Sequence, residues 1–230
     1  MKKLATILGL AAVLAMAATS AFAANQVRIS QAYGGGGGST GTYINDFVEI
    51  FNNGGTPVNI GGWTIEYGSA TGNWGSSTGN IFTFPANTII QPCKYILVQL
   101  GAAGTAGVAF PVTPDFTSTN LSMSATSGKV ALFSAVNSNL ACGAELPGTL
   151  VDKVSYGSAN CPEVTNVPAL SSTSSALRNN GGVTDTDNNL SDFTISTTVV
   201  PRNSASPANT ACLATPTSNR TWGSLKSIYR

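Results

Sequence analysis

The sequence predicts an all-β protein, a sandwich of short strands. Three observations carry this prediction. Short apolar or alternating runs recur along the chain, separated by Gly, Asn and Pro. No long helical period of apolar residues appears before the C-terminus. The composition is 42% hydrophobic but only 9% charged, with 25 glycines. Alternation with a period of two marks a half-buried strand, and many short strands with regular turn signals pack as two sheets. The hydrophobic fraction supports a real core and excludes global disorder. Charged residues fall far below the ~25% of ordinary globular proteins, so Ser, Thr, Asn and Gly carry the polar surface, as suits an extracellular β-protein.

Residues 1–23 read as a signal peptide. Met1-Lys2-Lys3 is positive, Leu4 to Ala18 is apolar, and Ala21-Phe22-Ala23 is the small-x-small pattern of a cleavage site. The Lys-Lys start and Ala-rich centre are bacterial in style. A retained anchor is the rival reading, but a span needs about 20 apolar residues, and no later segment supplies a transmembrane stretch. Without Lys2 and Lys3 the 11 basic residues fall to 9, against 10 acidic ones. Binding through phosphate neutralisation needs a basic patch, and none is evident, so nucleic acid is not expected as the main partner.

Residues 24–207 hold the expected sandwich. Val27 to Tyr33 alternates as a strand, followed by the loop Gly34 to Gly38. No Gly-Lys-Ser/Thr follows this loop, which sets a phosphate cradle aside. Further strands are read at Asp46 to Asn52, Val58 to Ile60, Trp63 to Tyr67, Ile81 to Phe84, Tyr95 to Leu100, Val130 to Phe133, Leu150 to Tyr156 and Phe193 to Ile195. Trp63 is expected as a core pin between the sheets. Glu49, among Phe47, Val48, Ile50 and Phe51, is expected to face solvent or to bond a turn. Residues 208–230 read as a linker and a short helical tail, with Trp222, Leu225, Ile228 and Tyr229 at helical spacing. That tail is expected to dock on the domain. A recognition tag for export or attachment and a membrane-surface helix are the other readings.

The four cysteines, Cys93, Cys142, Cys161 and Cys212, form an even set in an exported chain and read as two disulfides with three pairings open. The expected pairing is Cys142–Cys161, closing a short loop beside a strand, and Cys93–Cys212, tying the C-terminal segment to the sandwich. The chain contains no His, which removes Ser-His-Asp triads, Cys-His pairs and the usual zinc sites. Four scattered cysteines without a Cys-x-x-Cys do not suggest a metal. The ten acids are too dispersed to indicate a glycosidase pair. No catalytic residue and no cofactor are expected, calcium excepted. Asp185, Asp187 and Asn189 match the start of a calcium loop, and Asp192 could join them. Leu190 stands where the sharp-turn Gly belongs and Ser196 where the bidentate Glu belongs, which excludes an EF-hand. The rival is an Asx-rich turn that bonds its own backbone.

Several segments together resemble the lamin tail domain family in its bacterial secreted form. These are Asp46 to Asn52, Gly61-Gly62-Trp63-Thr64-Ile65, Ser124 to Leu132, Val154-Ser155-Tyr156-Gly157, Asp185 to Phe193 and Pro201-Arg202-Asn203-Ser204. The resemblance covers roughly residues 25–207 and implies an immunoglobulin-like β-sandwich. In bacteria it implies a module that binds or anchors beside secreted nucleases, phosphatases or other surface enzymes, without catalysing. The expected role is therefore non-enzymatic: a secreted or cell-surface module that holds to a cell-envelope or extracellular-matrix component. Three alternatives stand beside it. One is carbohydrate or matrix binding, with Tyr43, Tyr67 and Trp74 stacking on sugars. Another is a filament subunit that uses strand edges. The last is an accessory module of a secreted nuclease system.

Overall fold

The computed structural model describes residues 26–212. The expected signal peptide and the helical tail from Trp222 to Tyr229 lie outside the described residues. Twelve strands are described: β1 (Val27–Tyr33), β2 (Asp46–Asn52), β3 (Val58–Asn59), β4 (Thr64–Ser69), β5 (Ile81–Thr83), β6 (Ile89–Ile90), β7 (Tyr95–Leu100), β8 (Phe116–Ser118), β9 (Gly128–Phe133), β10 (Leu150–Tyr156), β11 (Ser175–Arg178) and β12 (Phe193–Ser196). One turn of helix, α1 (Asn189–Asp192), precedes β12. The fold is the expected immunoglobulin-like β-sandwich. A six-stranded sheet in the order β12-β11-β1-β2-β7-β8 faces a four-stranded sheet in the order β10-β9-β4-β5, and β3 pairs with β6 beside them. All pairings are antiparallel except β7 with β8.

Period-two alternation fills the space between the sheets. Ile29, Val48, Ile50, Ile96, Val98 and Leu100 come from one sheet and Ile65, Val130, Leu132, Val154 and Tyr156 from the other, in one continuous apolar cluster. Aliphatic and aromatic side chains of this size each contribute ~1.5–3 kcal/mol on full burial. Trp63 is only partly buried, packing against this cluster, so it covers the core and does not pin its centre.

The outer faces differ from the sequence reading. Every residue of β1, β2 and β9 is buried, because loops cover both sheets from outside. Tyr33, Phe47 and Leu97 form a second apolar cluster with Tyr43 and Val199 over the six-stranded sheet. Trp74 and Cys161 cover Ala131 and Phe133 over the four-stranded one. Polar residues in those strands are consequently sealed in as well, among them Glu49, Glu66, Lys129, Asp152 and Arg178.

Both expected disulfides are present, Cys93–Cys212 and Cys142–Cys161, each with Cα atoms 5.6 Å apart. The first ties the C-terminal segment to the sandwich. Residues 208–212 are not a free linker, since the Asn209 amide donates to the Cys93 carbonyl (2.9 Å) and the Asn209 side chain to the Asn180 and Gly181 carbonyls.

Candidate functional site

The segment from Asp185 to Asp192 folds as the Asx-rich turn that competed with the calcium reading. Asn188 caps α1 by accepting from the Leu190 amide. Asp192 is buried; its Oδ2 accepts from the Thr186 and Asn188 amides (2.9 and 3.2 Å) and its Oδ1 from the Thr186 hydroxyl (2.8 Å). The Asn189 side chain accepts from the Ser155 and Glu163 amides and donates to the Lys153 carbonyl and Glu163 Oε2. Asp187 is exposed with φ of 55°, a conformation that Asp tolerates in turns. Asp185 faces Arg178 (3.1 Å) and Arg28 (3.4 Å). Three of the four candidate ligands, Asp185, Asn189 and Asp192, are thus engaged by arginines and amides, and Asp187 is exposed.

The structure instead gathers acids around Arg178, which sequence reasoning missed. The Arg178 guanidinium makes a two-pronged contact with Asp152 (2.7 and 2.8 Å) and donates to the Ile29 carbonyl (2.7 Å) and to Asp185. It also lies over the Phe193 ring at 4.4 Å. Carboxylate oxygens of Asp152, Glu163 and Asp185 fall within 4.8 Å of one another beside it. Burial opposes the Arg178 charge, but Asp152 and Asp185 overcome it and hold its pKa above the usual value. Burial, reinforced by the Asp152 charge, pushes Glu163 up to about 8. The only trace in the sequence is a charged pair, Asp152-Lys153, inside a strand-like run.

A second ion pair lies over the six-stranded sheet and corrects the expectation for Glu49. This residue does point away from the core, but the segment carrying Val199 and Arg202 seals it completely. Glu49 accepts from Arg202 Nη2 (2.7 Å), Arg202 Nε (3.2 Å), the Arg202 amide (2.7 Å) and the Ser30 hydroxyl (2.5 Å). The guanidinium stacks 3.8 Å from the Tyr95 ring and donates to the Tyr95 hydroxyl (2.7 Å). Burial raises the Glu49 pKa, with Arg202 acting against that rise.

Beside this pair opens a cleft of about 700 Å³. Tyr95, Pro111, Val112, Val200, Pro201 and Pro207 give it apolar walls. Arg202, the partner of Glu49, lines it, and so does Ala211, the neighbour of the bridged Cys212.

The family model of the lamin tail domain matches residues 20–158, more than half of the chain. The chain belongs to the lamin tail domain family. Arg178, Arg202 and the cleft's Pro201–Ala211 rim all lie beyond the matched residues. No curated protein matches. Among solved structures, a DUF4876 family protein from Bacteroides thetaiotaomicron VPI-5482 is similar at 15% identity, over 79% of this chain and 74% of that one, with a TM-score of 0.48.

The aromatic residues expected to stack on sugars are buried. In this lamin tail domain Tyr43 and Tyr67 are each 7% exposed and Trp74 0%. Tyr43 donates to the Val199 carbonyl (2.7 Å) and the Trp74 indole to Glu145 (2.7 Å). Tyr67 lies in the core between the sheets, and Tyr43 and Trp74 lie in the clusters beneath the covering loops. Among the described residues no helix is long and apolar enough to cross a membrane.

Proposed function

We propose that the chain is an exported, non-catalytic module that holds to a component of the cell envelope or extracellular matrix through the cleft beside Tyr95. The observation that carries this reading is a concave apolar surface with rigid walls. Val200, on its rim, is 54% exposed, and the neighbouring backbone is tied down by a disulfide and a buried ion pair. Binding to such a preformed surface avoids the entropy cost of ordering loops, and small apolar clefts with a few fixed polar groups are where ligands bind. Export is supported by the leader pattern of residues 1–23 and by two disulfides, which persist in oxidising compartments. The lack of His and the family's role as a module support a non-catalytic part.

The test is a pull-down of envelope and matrix fractions with the mature chain and with Val200→Lys. The wild type retains a component, and the variant loses at least tenfold of it with an unchanged melting temperature. A chain recovered free in the medium that retains nothing, or equal retention by both proteins, overturns the proposal.

A further inference from the structure

Lys129 is the most unusual side chain on the outer face of the four-stranded sheet. It lies in the middle of the domain's sequence on β9, a strand flanked by β4 and β10, and is 0% exposed. Its Nζ donates to the Gly72 carbonyl (2.6 Å), the Ser69 carbonyl (3.3 Å) and Asn160 Oδ1. All three acceptors are neutral, and among the described residues no carboxylate forms an ion pair with it. An ammonium removed from water without a carboxylate in contact is costly. The surroundings nevertheless hold it in one place. Gly68, opposite Lys129 in the ladder, leaves the space its stem occupies, since a Cβ there would meet Lys129 Cε at 2.8 Å. The Trp74 ring lies 5.2 Å from Nζ.

Asn160 is held just as firmly. Its amide donates to the Ala70 carbonyl (2.8 Å), and the next residue, Cys161, is bridged to Cys142. An amine in hydrogen-bond contact with a carboxamide oxygen sits beside that group's carbonyl carbon. Fixed proximity of this kind replaces a bimolecular encounter and raises the effective concentration by orders of magnitude.

We propose that Lys129 and Asn160 join in an intramolecular isopeptide bond that cross-links β9 to the loop after β10. Lys129 Nζ, as the free amine, attacks Asn160 Cγ. The Nζ–Cγ bond forms, the Cγ–Nδ2 bond breaks, and the side-chain nitrogen of Asn160 leaves as ammonia, carrying away a proton that Nζ gives up. The exchange needs no oxidant, reductant or co-reactant. Burial lowers the Lys129 pKa and enlarges the share of free amine. Glu145, held by the Trp74 indole (2.7 Å), is the carboxylate whose charge acts on Lys129 against that lowering. Asn160 is exposed on its outer side, which gives the ammonia an exit. The product replaces a buried charge with an amide whose remaining N–H keeps the bond to Gly72.

The test is peptide mass analysis of the purified full chain after reduction, alkylation and trypsin digestion. The expected result is a branched peptide joined through Lys129 and Asn160, lighter than its two parts by one ammonia, with no tryptic cleavage after Lys129. Lys129→Met and Asn160→Ala each remove the branched peptide. Folded wild-type protein that is cleaved after Lys129, with the residue at 160 recovered unlinked as Asn or Asp, overturns the proposal whether or not either variant folds.

Discussion

Removing the Arg202 guanidinium should destabilise the domain in a way that depends on pH. In Arg202→Ala, Glu49 keeps its burial and the Ser30 hydroxyl but loses its counter-charge and the three side-chain contacts that Arg202 makes with it and with Tyr95. Stranding one member of a buried pair costs ~3–5 kcal/mol. Part of this loss, ~1–2 kcal/mol, comes from the Tyr95 contacts and is independent of pH. The remainder follows Glu49. Its folded pKa, already raised by burial, rises further without Arg202. A carboxyl whose folded pKa exceeds its unfolded one contributes stability that is full below the unfolded value and is lost as pH rises through the folded value. The variant's deficit should therefore be smallest near pH 4 and largest near pH 8. Urea unfolding at several pH values, followed by tyrosine and tryptophan fluorescence, reads this directly. The double variant Glu49→Leu/Arg202→Ala should recover much of the loss at pH 8, because the stranded charge is gone. A deficit equal at both ends of the range, or below ~1 kcal/mol throughout, would refute the account of a sealed ion pair.

The two disulfides should contribute unequally. Cys93–Cys212 spans 119 residues of sequence separation and Cys142–Cys161 spans 19, so loop-closure entropy assigns ~5 and ~3 kcal/mol respectively; paired Cys→Ser variants compared by urea midpoint should fall in that order, and the reverse order would count against it. Glu163→Gln should gain on the wild type as pH rises, because Glu163 titrates at about 8 in the folded chain and its charge is penalised above the unfolded carboxylate range. Melting temperatures from pH 5 to 9 would show the gap widening, and a constant gap would dismiss the shift. Calcium should leave the melting temperature unchanged, since Asp185 and Asp192 already face Arg178 and backbone amides. A calcium-dependent rise reversed by a chelator would restore the loop as a cation site.

Local pattern made most of the sandwich legible. β1, β2 and β7 match the strand runs read from the sequence residue for residue, because alternation in β1 and an apolar run bounded by turn residues in β7 are local properties of the chain. β11 escaped notice. Ser175–Arg178 is short, with no sustained apolar run, and its place between β1 and β12 is fixed by partners 144 or more residues upstream on one side and by β12 on the other. The calcium-like spacing from Asp185 to Asp192 was real as a turn, but spacing says nothing about which positive group faces it. That was decided by Arg178, arriving from β11.

By itself, then, the sequence determined the two-layer class, the strands with strict alternation and an even set of cysteines, since each depends on neighbours along the chain. Tertiary structure alone decided which polar side chains went inside. Glu49 and Arg202 stand 153 residues apart, and a carboxylate on the outer face of a strand reads as solvent-facing until a distant segment closes over it. Lys129 follows the same logic: its burial comes from the loops that carry Gly72, Trp74 and Asn160, and no pattern along β9 encodes their approach.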